Sequence, residues 1–133
     1  MVYWDTSAVL SALLQDIHSN EARAWLSRDV VHLVSSLAGA EFHASLARLH
    51  REGHLTPLQS TATAQAYEQG PWRRVSLSPD PNLFEPLASK FRLRGADLWH
   101  LAMAMTLRSE LPELMLLTFD VVLRTAAIEE NLA

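Results

Sequence analysis

The sequence predicts an α/β fold in which helices cover both faces of a parallel sheet. Short segments typical of strands alternate with longer segments of helical periodicity along the chain, as in proteins built around a parallel sheet. Two of the strand segments are unbroken apolar runs, which is typical of strands buried on both faces. No linker, internal repeat or low-complexity tract interrupts the 133 residues, so we expect one domain spanning residues 1–133.

In the first half of the chain, β-branched or apolar stretches predict strands and apolar residues at helical spacing predict helices. The predicted elements are a strand at Val2–Trp4, a helix at Ser7–Leu14, a helix capped by Ser19 or Asn20 that extends through Ser27, and a strand at Val30–Val34. The next helix spans residues 37–53, with Phe42, Leu46 and Leu49 at helical spacing and Gly53 at its end.

In the second half, Thr56 and Pro57 open a helix, because proline is tolerated in a first helical turn. This helix extends toward Tyr67 and stops before Gly70 and Pro71. The remaining predicted elements are a weak strand at Trp72–Leu77, a helix at Pro81–Arg92 despite Pro86, a helix at Gly95–Leu107, a strand at Leu114–Thr118 and a helix at Val121–Glu130.

The composition is that of a folded protein without cysteine. Hydrophobic residues make up 49% and charged residues 20% of the chain, which is typical of a globular protein. The absence of cysteine excludes disulfides and thiolate metal sites and fits a reducing cytoplasm. No apolar run approaches the roughly 20 residues of a transmembrane helix, and no secretory signal is recognisable, so we expect no membrane association.

A net charge of −4 by itself argues against a nucleic-acid partner, since phosphate binders usually carry a basic surplus. The distribution of charge weakens this objection. Ten of the 11 basic residues are arginine, which suits bidentate phosphate contacts. Several of them are close in sequence: Arg48 and Arg51, Arg73 and Arg74, Arg92 and Arg94. If cations neutralised four of the 15 acids, 11 acidic residues would face 11 basic ones.

Four acidic residues occupy equivalent places beside the predicted strands. Asp5 follows the first strand and Asp120 follows the fourth. Glu41 lies in the first turns of the helix after the second strand, and Asp97 lies in the first turn of the helix that begins at Gly95. Because the carboxyl ends of parallel strands share one edge, where ligands bind at the switch point of strand order, we expect the four carboxylates to point toward that edge.

Each acid also has an ordinary structural explanation. Asp5 and Asp120 could cap helices, Asp97 could complement the positive end of its helix, and Glu41 could be a solvated helix acid. The helix after Asp97 is apolar on nearly all sides, however, and a buried carboxylate without a partner costs several kcal/mol. Four carboxylates at one edge therefore indicate Mg²⁺ or Mn²⁺, which prefer oxygen ligands. Zinc is disfavoured because there is no cysteine and no pair of histidines among the acids.

Four segments around these acids carry a resemblance to a known family. They are YWDTSAV, AGAEFHASLAR, RGADLWHLAMA and LLTFDVVLRTAA, in this order over residues 2–127. Together they resemble PIN-domain ribonucleases, and more narrowly the VapC-type toxins of type II toxin–antitoxin systems. The resemblance implies a three-layer α/β/α sandwich with a central parallel sheet of four to five strands. Many members continue with a strand after the last helix, whereas this sequence ends at Ala133, so a fifth strand should be short or absent.

The resemblance also implies a site and an activity. The family's acidic quartet falls on Asp5, Glu41, Asp97 and Asp120. Its supporting polar positions fall on Thr6, Ser7 and Thr118. The implied activity is Mg²⁺- or Mn²⁺-dependent endonucleolytic cleavage of RNA, in a cytoplasmic homodimer. The implied partner is a small antitoxin protein whose C-terminal segment lies across the acidic groove.

Hydrolysis of a phosphodiester needs a nucleophilic water and relief of charge on the phosphate, and bound divalent ions supply both. We expect Asp5 and Asp97 to be the principal ligands of a first ion. Glu41 and Asp120 would complete a second ion, bind through water, or orient the attacking water. His100 could reach the site, but we expect a packing or hydrogen-bonding role for it. The expected contacts to RNA phosphates are Arg92 and Arg94, followed by Arg73 and Arg74.

Two other functions remain open. A phosphate-monoester hydrolase would use Asp5 as its nucleophile on a similar sheet, but that chemistry usually has a second acid two residues later, where this sequence has Ser7. A non-enzymatic module would use the same acids to bind a basic peptide or a structural ion. Fold alone does not separate these functions, because one fold can carry many different sites.

Overall fold

Four short strands form the centre of the protein, and the computed structural model describes all 133 residues. The strands are β1 (Val2–Trp4), β2 (His32–Ser35), β3 (Trp72–Val75) and β4 (Met115–Leu117). They form one sheet in the order β3-β2-β1-β4, and every neighbouring pair is parallel. The predicted parallel sheet is therefore confirmed, with four strands.

Seven helices connect and flank the strands. They are α1 (Thr6–Leu13), α2 (Ser19–Leu26), α3 (Ser36–Arg51), α4 (Pro57–Gln69), α5 (Phe84–Lys90), α6 (Gly95–Glu110) and α7 (Val121–Glu129). Thr56 caps α4 with a reciprocal pair of hydrogen bonds to Gln59, and Gly53 after α3 has a φ of 78°, a conformation that glycine adopts without strain. None of the seven helices combines the length and apolarity needed to cross a membrane.

Alternation along the strands divides the core into two layers. Trp4 and Val34 pack with α1 to α4 on one face of the sheet. Tyr3 and Leu33, one residue earlier in each strand, pack with α5 to α7 on the other face. Successive side chains of a strand point to opposite faces, so each strand contributes to both layers. The result is the three-layer α/β/α sandwich that the sequence predicted.

The direction of strand order reverses at β1. The chain moves from β1 to β2 and β3 through α1 to α4 on one face, and it returns to β4 on the other side of β1 through α5 and α6. Connections that leave neighbouring strands on opposite faces open a crevice at the carboxyl ends of those strands. The crevice here lies between β1 and β4, and Asp5 and Asp120 are the residues at its two sides.

Two predicted boundaries in the first half of the chain are wrong. The second strand begins at His32 and not at Val30, because residues before His32 form a turn in which the Val30 amide donates to the Arg28 carbonyl at 2.9 Å. The residue before α2 is His18, and Ser19 is not the cap. Its hydroxyl instead donates to the Leu14 carbonyl at 2.8 Å and closes the loop between α1 and α2.

In the second half of the chain, the helix predicted at Pro81–Arg92 and the strand predicted at Trp72–Leu77 are shorter than predicted, whereas α6 extends to Glu110. The segment 81–92 divides into a 3₁₀ turn at Pro81–Leu83 and α5, and Pro86 lies in the first turn of α5, where an amide hydrogen has no helical partner. The third strand ends at Val75, opposite the last residue of β2. A fifth strand is absent, and the chain end supplies only one hydrogen bond to β4, from the Leu116 amide to the Leu132 carbonyl at 2.8 Å.

Candidate active site

Asp5 stands at the end of β1 and begins α1. One carboxylate oxygen, Oδ1, accepts hydrogen bonds from the Ala8 amide at 2.9 Å and the Ser7 hydroxyl at 2.7 Å. The other oxygen, Oδ2, accepts one from the Thr118 hydroxyl at 2.6 Å. Asp5 is only 3% exposed, and burial raises its pKa although these hydrogen bonds oppose the effect. Asp5 therefore caps a helix, which is one of the two roles that the sequence suggests for it. A free lone pair remains on Oδ2.

Ser7 and Thr118 join the ends of β1 and β4. The Ser7 hydroxyl accepts a hydrogen bond from the Phe119 amide at 2.9 Å, and the Thr118 hydroxyl accepts one from the Asp120 amide at 3.1 Å. Since each hydroxyl also donates to Asp5, the two strands hold that carboxylate between them. Of the polar residues expected to support the first acid, Ser7 and Thr118 hydrogen-bond it, whereas the Thr6 hydroxyl donates to Glu41.

Asp120 begins α7, and its Oδ1 accepts a hydrogen bond from the Leu123 amide at 2.8 Å. This is the second case in which the capping explanation is correct. The same residue lines a cleft of about 310 Å³ together with Arg92, Arg94, Asp97 and Val122. Its Oδ2 makes no hydrogen bond within the protein, so capping leaves one oxygen of Asp120 available at the cleft.

Glu41 lies in the second turn of α3 and meets two polar side chains. Its Oε1 accepts from the Thr6 hydroxyl at 2.7 Å and lies 2.8 Å from His100 Nε2. The hydrogen bond with His100, and after it the one from Thr6, lower the pKa of Glu41 although partial burial opposes them. Glu41 is therefore an ionised carboxylate in a fixed position and not a freely solvated helix acid, the ordinary explanation for this residue.

Asp97 is half-buried in the first turn of α6 and has no hydrogen-bond donor of its own. Its pKa is raised, first by burial and then by the negative charges of Asp120 and Asp5, with Glu41 adding a smaller effect and His100 opposing them. All three other acids of the quartet thus act on Asp97. The four carboxylates therefore lie near the carboxyl end of the sheet, which is the edge that the sequence predicts.

The donor set fits a hard divalent cation, although the side chains do not form a ready-made site. No group of three or more histidine, aspartate and glutamate side chains is arranged to hold a metal ion. None of the four acids forms an ion pair with arginine or lysine, so their charge is uncompensated except for the contact of Glu41 with His100. Oxygen donors without a basic partner suit Mg²⁺ or Mn²⁺, and ligation by three of them would require changed side-chain rotamers.

The four arginines proposed as phosphate contacts separate into two pairs. Arg92 and Arg94 are exposed and line the cleft that contains Asp97 and Asp120. Arg73 and Arg74 lie on the edge strand β3 and are not part of that cleft. The Arg74 guanidinium donates to Glu68 at 2.7 Å, and Arg73 lines a separate surface cleft near Arg28. Only Arg92 and Arg94 lie beside the acids.

Two polar residues near the site were not singled out from the sequence. The sequence predicts Tyr3 to be part of an apolar strand, but its hydroxyl lies 2.7 Å from His100 Nδ1. The predicted second strand ends at Val34, but Ser35 is the last residue of β2 and its hydroxyl accepts from the Ala38 amide at 3.1 Å. The available signal for Tyr3 was its hydroxyl within a buried strand, since buried hydroxyls require partners.

Comparison with known proteins identifies the family. The PIN domain family model matches residues 2–129. The solved structure of FitAcB from Neisseria gonorrhoeae is similar, with a TM-score of 0.67 and 19% identity, over 96% of this chain and 94% of that one. VapC20 from Mycobacterium tuberculosis, a toxin that cleaves the sarcin–ricin loop, is similar with a TM-score of 0.58 and 17% identity, over 95% of each chain. No curated protein matches the sequence. Because the family model spans nearly the whole chain, this protein belongs to the PIN domain family.

Proposed function

We propose that the protein is a metal-dependent endoribonuclease and the toxin of a type II toxin–antitoxin pair. One observation carries the proposal: at the switch point of the parallel sheet, Asp97 and Asp120 line one cleft, and the charges of Asp120, Asp5 and Glu41 all raise the pKa of Asp97. Such a group is electrostatically unfavourable without a cation. Membership of the PIN domain family and the fold shared with VapC20, described as a toxin that cleaves the sarcin–ricin loop, support the choice of substrate.

The residues of the chain divide into ligands and supports. Bound Mg²⁺ or Mn²⁺ would supply a nucleophilic water at neutral pH and neutralise charge on the phosphate. Asp5 and Asp97 would be its principal ligands, and Thr118 and Ser7 fix the orientation of Asp5. Glu41 and Asp120 would complete the ligand set or hold the attacking water, because each presents an oxygen that no protein group uses.

The partner of the acidic edge would be an antitoxin protein. A guanidinium group pairs strongly with carboxylates, so an arginine from a small partner could neutralise this edge and compete with the cation. We extend the proposal to a cytoplasmic homodimer that is silenced by such a partner. The homodimer and the silencing partner are supported by the sequence resemblance to VapC-type toxins, and the absence of cysteine fits the cytoplasm.

The decisive experiment measures RNA cleavage with and without divalent ions. Purified protein is incubated with total RNA and with a short single-stranded RNA, in Mg²⁺, in Mn²⁺ and in EDTA. We expect internal cleavage that requires one of the two ions and disappears in EDTA. Cleavage that persists in EDTA would contradict the metal-dependent mechanism. A phosphate monoester run in parallel tests the alternative hydrolase, and turnover of that substrate without RNA cleavage would favour it.

The arginines at the cleft give a separate prediction. Arg92→Ala or Arg94→Ala should weaken RNA binding by about 10-fold, because each removes a phosphate contact next to the acids. Each variant should also reduce the slope of log affinity against log salt by about 0.7, the value expected for one phosphate on a single strand. Fluorescence anisotropy with labelled RNA in Ca²⁺ or EDTA measures both quantities.

Arg73→Ala is the matched control for this prediction, since it removes the same charge from β3, outside the cleft. It should leave affinity and salt slope nearly unchanged. Equal losses in all three variants would mean that the arginines act through the total charge of the protein and not through contacts at the cleft.

A further inference from the structure

A buried chain of polar groups leads from the sheet to Glu41. The Tyr3 hydroxyl lies 2.7 Å from His100 Nδ1, and His100 Nε2 lies 2.8 Å from Glu41 Oε1. Tyr3 is fully buried and His100 is 2% exposed, so neither group exchanges these partners for water. These hydrogen bonds connect β1 to α6 and α6 to α3, three elements that are separate in sequence.

The chemistry of the three groups fixes the direction of the hydrogen bonds. An ionised carboxylate only accepts, so the contact with Glu41 requires a hydrogen on His100 Nε2. In a neutral imidazole the other nitrogen is then an acceptor, and a hydroxyl beside it must donate. Burial raises the pKa of Tyr3, which keeps its hydroxyl protonated at neutral pH and able to donate to Nδ1.

Glu41 depends on these contacts in a way that Asp5 and Asp120 do not. Asp5 and Asp120 are short side chains that helix caps hold in place. Glu41 does not cap a helix. Its side chain has three rotatable bonds, so without these contacts it would occupy several rotamers. Thr6 and His100 both bind its Oε1, and Oε2 has no partner in the protein. The two contacts therefore select one orientation and leave one oxygen free.

We propose that Tyr3 and His100 are positioning residues for Glu41: Tyr3 holds the His100 ring by donating to Nδ1, and His100 then holds Glu41 through Nε2 with the second carboxylate oxygen free for a cation or a water. This inference rests on the proposed nuclease function for its effect on turnover. The hydrogen-bond arrangement itself does not depend on that function. A phenylalanine and a leucine could fill the same space, so packing alone does not account for the two polar side chains.

The first test is spectroscopic and needs no activity. The ¹⁵N resonances of the His100 ring are measured in metal-free protein at neutral pH, in the wild type and in Tyr3→Phe. We expect the wild type to have hydrogen on Nε2 alone. In Tyr3→Phe hydrogen should stay on Nε2, and the resonance of the unprotonated Nδ1 should move because this nitrogen loses its hydrogen-bond donor. A wild-type ring with hydrogen on Nδ1 alone, or on both nitrogens, would overturn the proposal. Tyr67→Phe is the matched control, because Tyr67 is buried on the opposite face of the sheet.

The second test is kinetic. Tyr3→Phe and His100→Leu should lower kcat for RNA about 10-fold to 100-fold with KM unchanged, as expected for groups that orient a ligand without touching substrate. His100→Gln should recover most of the loss over His100→Leu, because an amide can accept from Tyr3 and donate to Glu41. Full kcat in Tyr3→Phe, or a glutamine variant as slow as the leucine variant, would contradict the proposal. If the wild type cleaves no RNA, the nuclease function fails, and the ring resonances still decide the tautomer.

Discussion

Asp97→Asn should reduce RNA cleavage by at least about 100-fold, the scale of loss expected when a charged group at a metal centre is removed. Asparagine has the same shape as aspartate but no negative charge, so the variant removes the charge on which the other three acids act. Asp97 is also the acid whose oxygens have no hydrogen-bond donor within the protein, and both remain available for a cation. Single-turnover cleavage of a labelled RNA at saturating Mg²⁺ measures the effect.

The stability of the same variant separates lost chemistry from misfolding. The pKa of Asp97 is raised in the folded protein, so its contribution to stability is present below the unfolded pKa and is lost as pH rises through the folded pKa. At neutral pH without metal, the charged form therefore destabilises the fold. Asp97→Asn in EDTA should have a Tm equal to or above that of the wild type, measured by circular dichroism.

Two further measurements complete this prediction. Mg²⁺ should raise the Tm of the wild type and have little effect on Asp97→Asn, because a ligand that binds only the folded state stabilises it. Asp29→Asn is the matched control, an exposed aspartate near the opposite end of the strands. It should cleave RNA at the wild-type rate. Cleavage by Asp97→Asn at the wild-type rate would mean that this residue is not part of the site or that the activity comes from a contaminating nuclease. An equal loss in Asp97→Asn and Asp29→Asn would show that the effect is not specific to the acidic edge.

The location of the acids was predictable because it depends on strand direction. Once the strands are parallel, residues that follow β1 and β4 must lie at one edge, whatever the side chains between them. Asp5 and Asp120 were therefore placed correctly by counting elements. The boundary of β2 was not predictable, because Val30 and Val31 have a strand propensity at least as high as that of the residues that pair. Pairing with β1 begins only at His32, opposite Val2.

The contacts among polar groups were beyond the sequence. Nothing in the spacing of Tyr3 and His100 shows that they meet, since 97 residues separate them and the contact depends on the packing of α6 against β1. The positions of the arginines relative to the acids were also not predictable from the sequence. Pairs of arginines occur at positions 73–74 and at 92 and 94, and only the fold shows that the second pair lies beside the acids.

Phe42→Ala should cost about 3–5 kcal/mol of unfolding free energy, the range measured when a buried phenylalanine is truncated. Phe42 is fully buried and stacks on Tyr67 with ring centroids 4.5 Å apart, which joins α3 to α4. The loss is a large part of the ~5–15 kcal/mol that stabilises a typical domain. Urea unfolding at 25 °C measures it, and Leu58→Ala, at a position that is 79% exposed, should change stability by less than about 0.5 kcal/mol.

This core residue also bears on the site, because Phe42 directly follows Glu41 on α3. Burial of the ring fixes the rotation of the helix, and that rotation sets the side of α3 on which Glu41 meets Thr6 and His100. Phe42→Leu, which keeps most of the apolar volume, should cost less than about 1.5 kcal/mol and retain cleavage. Phe42→Ala should lose cleavage even at temperatures where it is folded, since the cavity lets the helix shift. Full activity in folded Phe42→Ala would show that the hydrogen bonds to Glu41 hold it without support from the core.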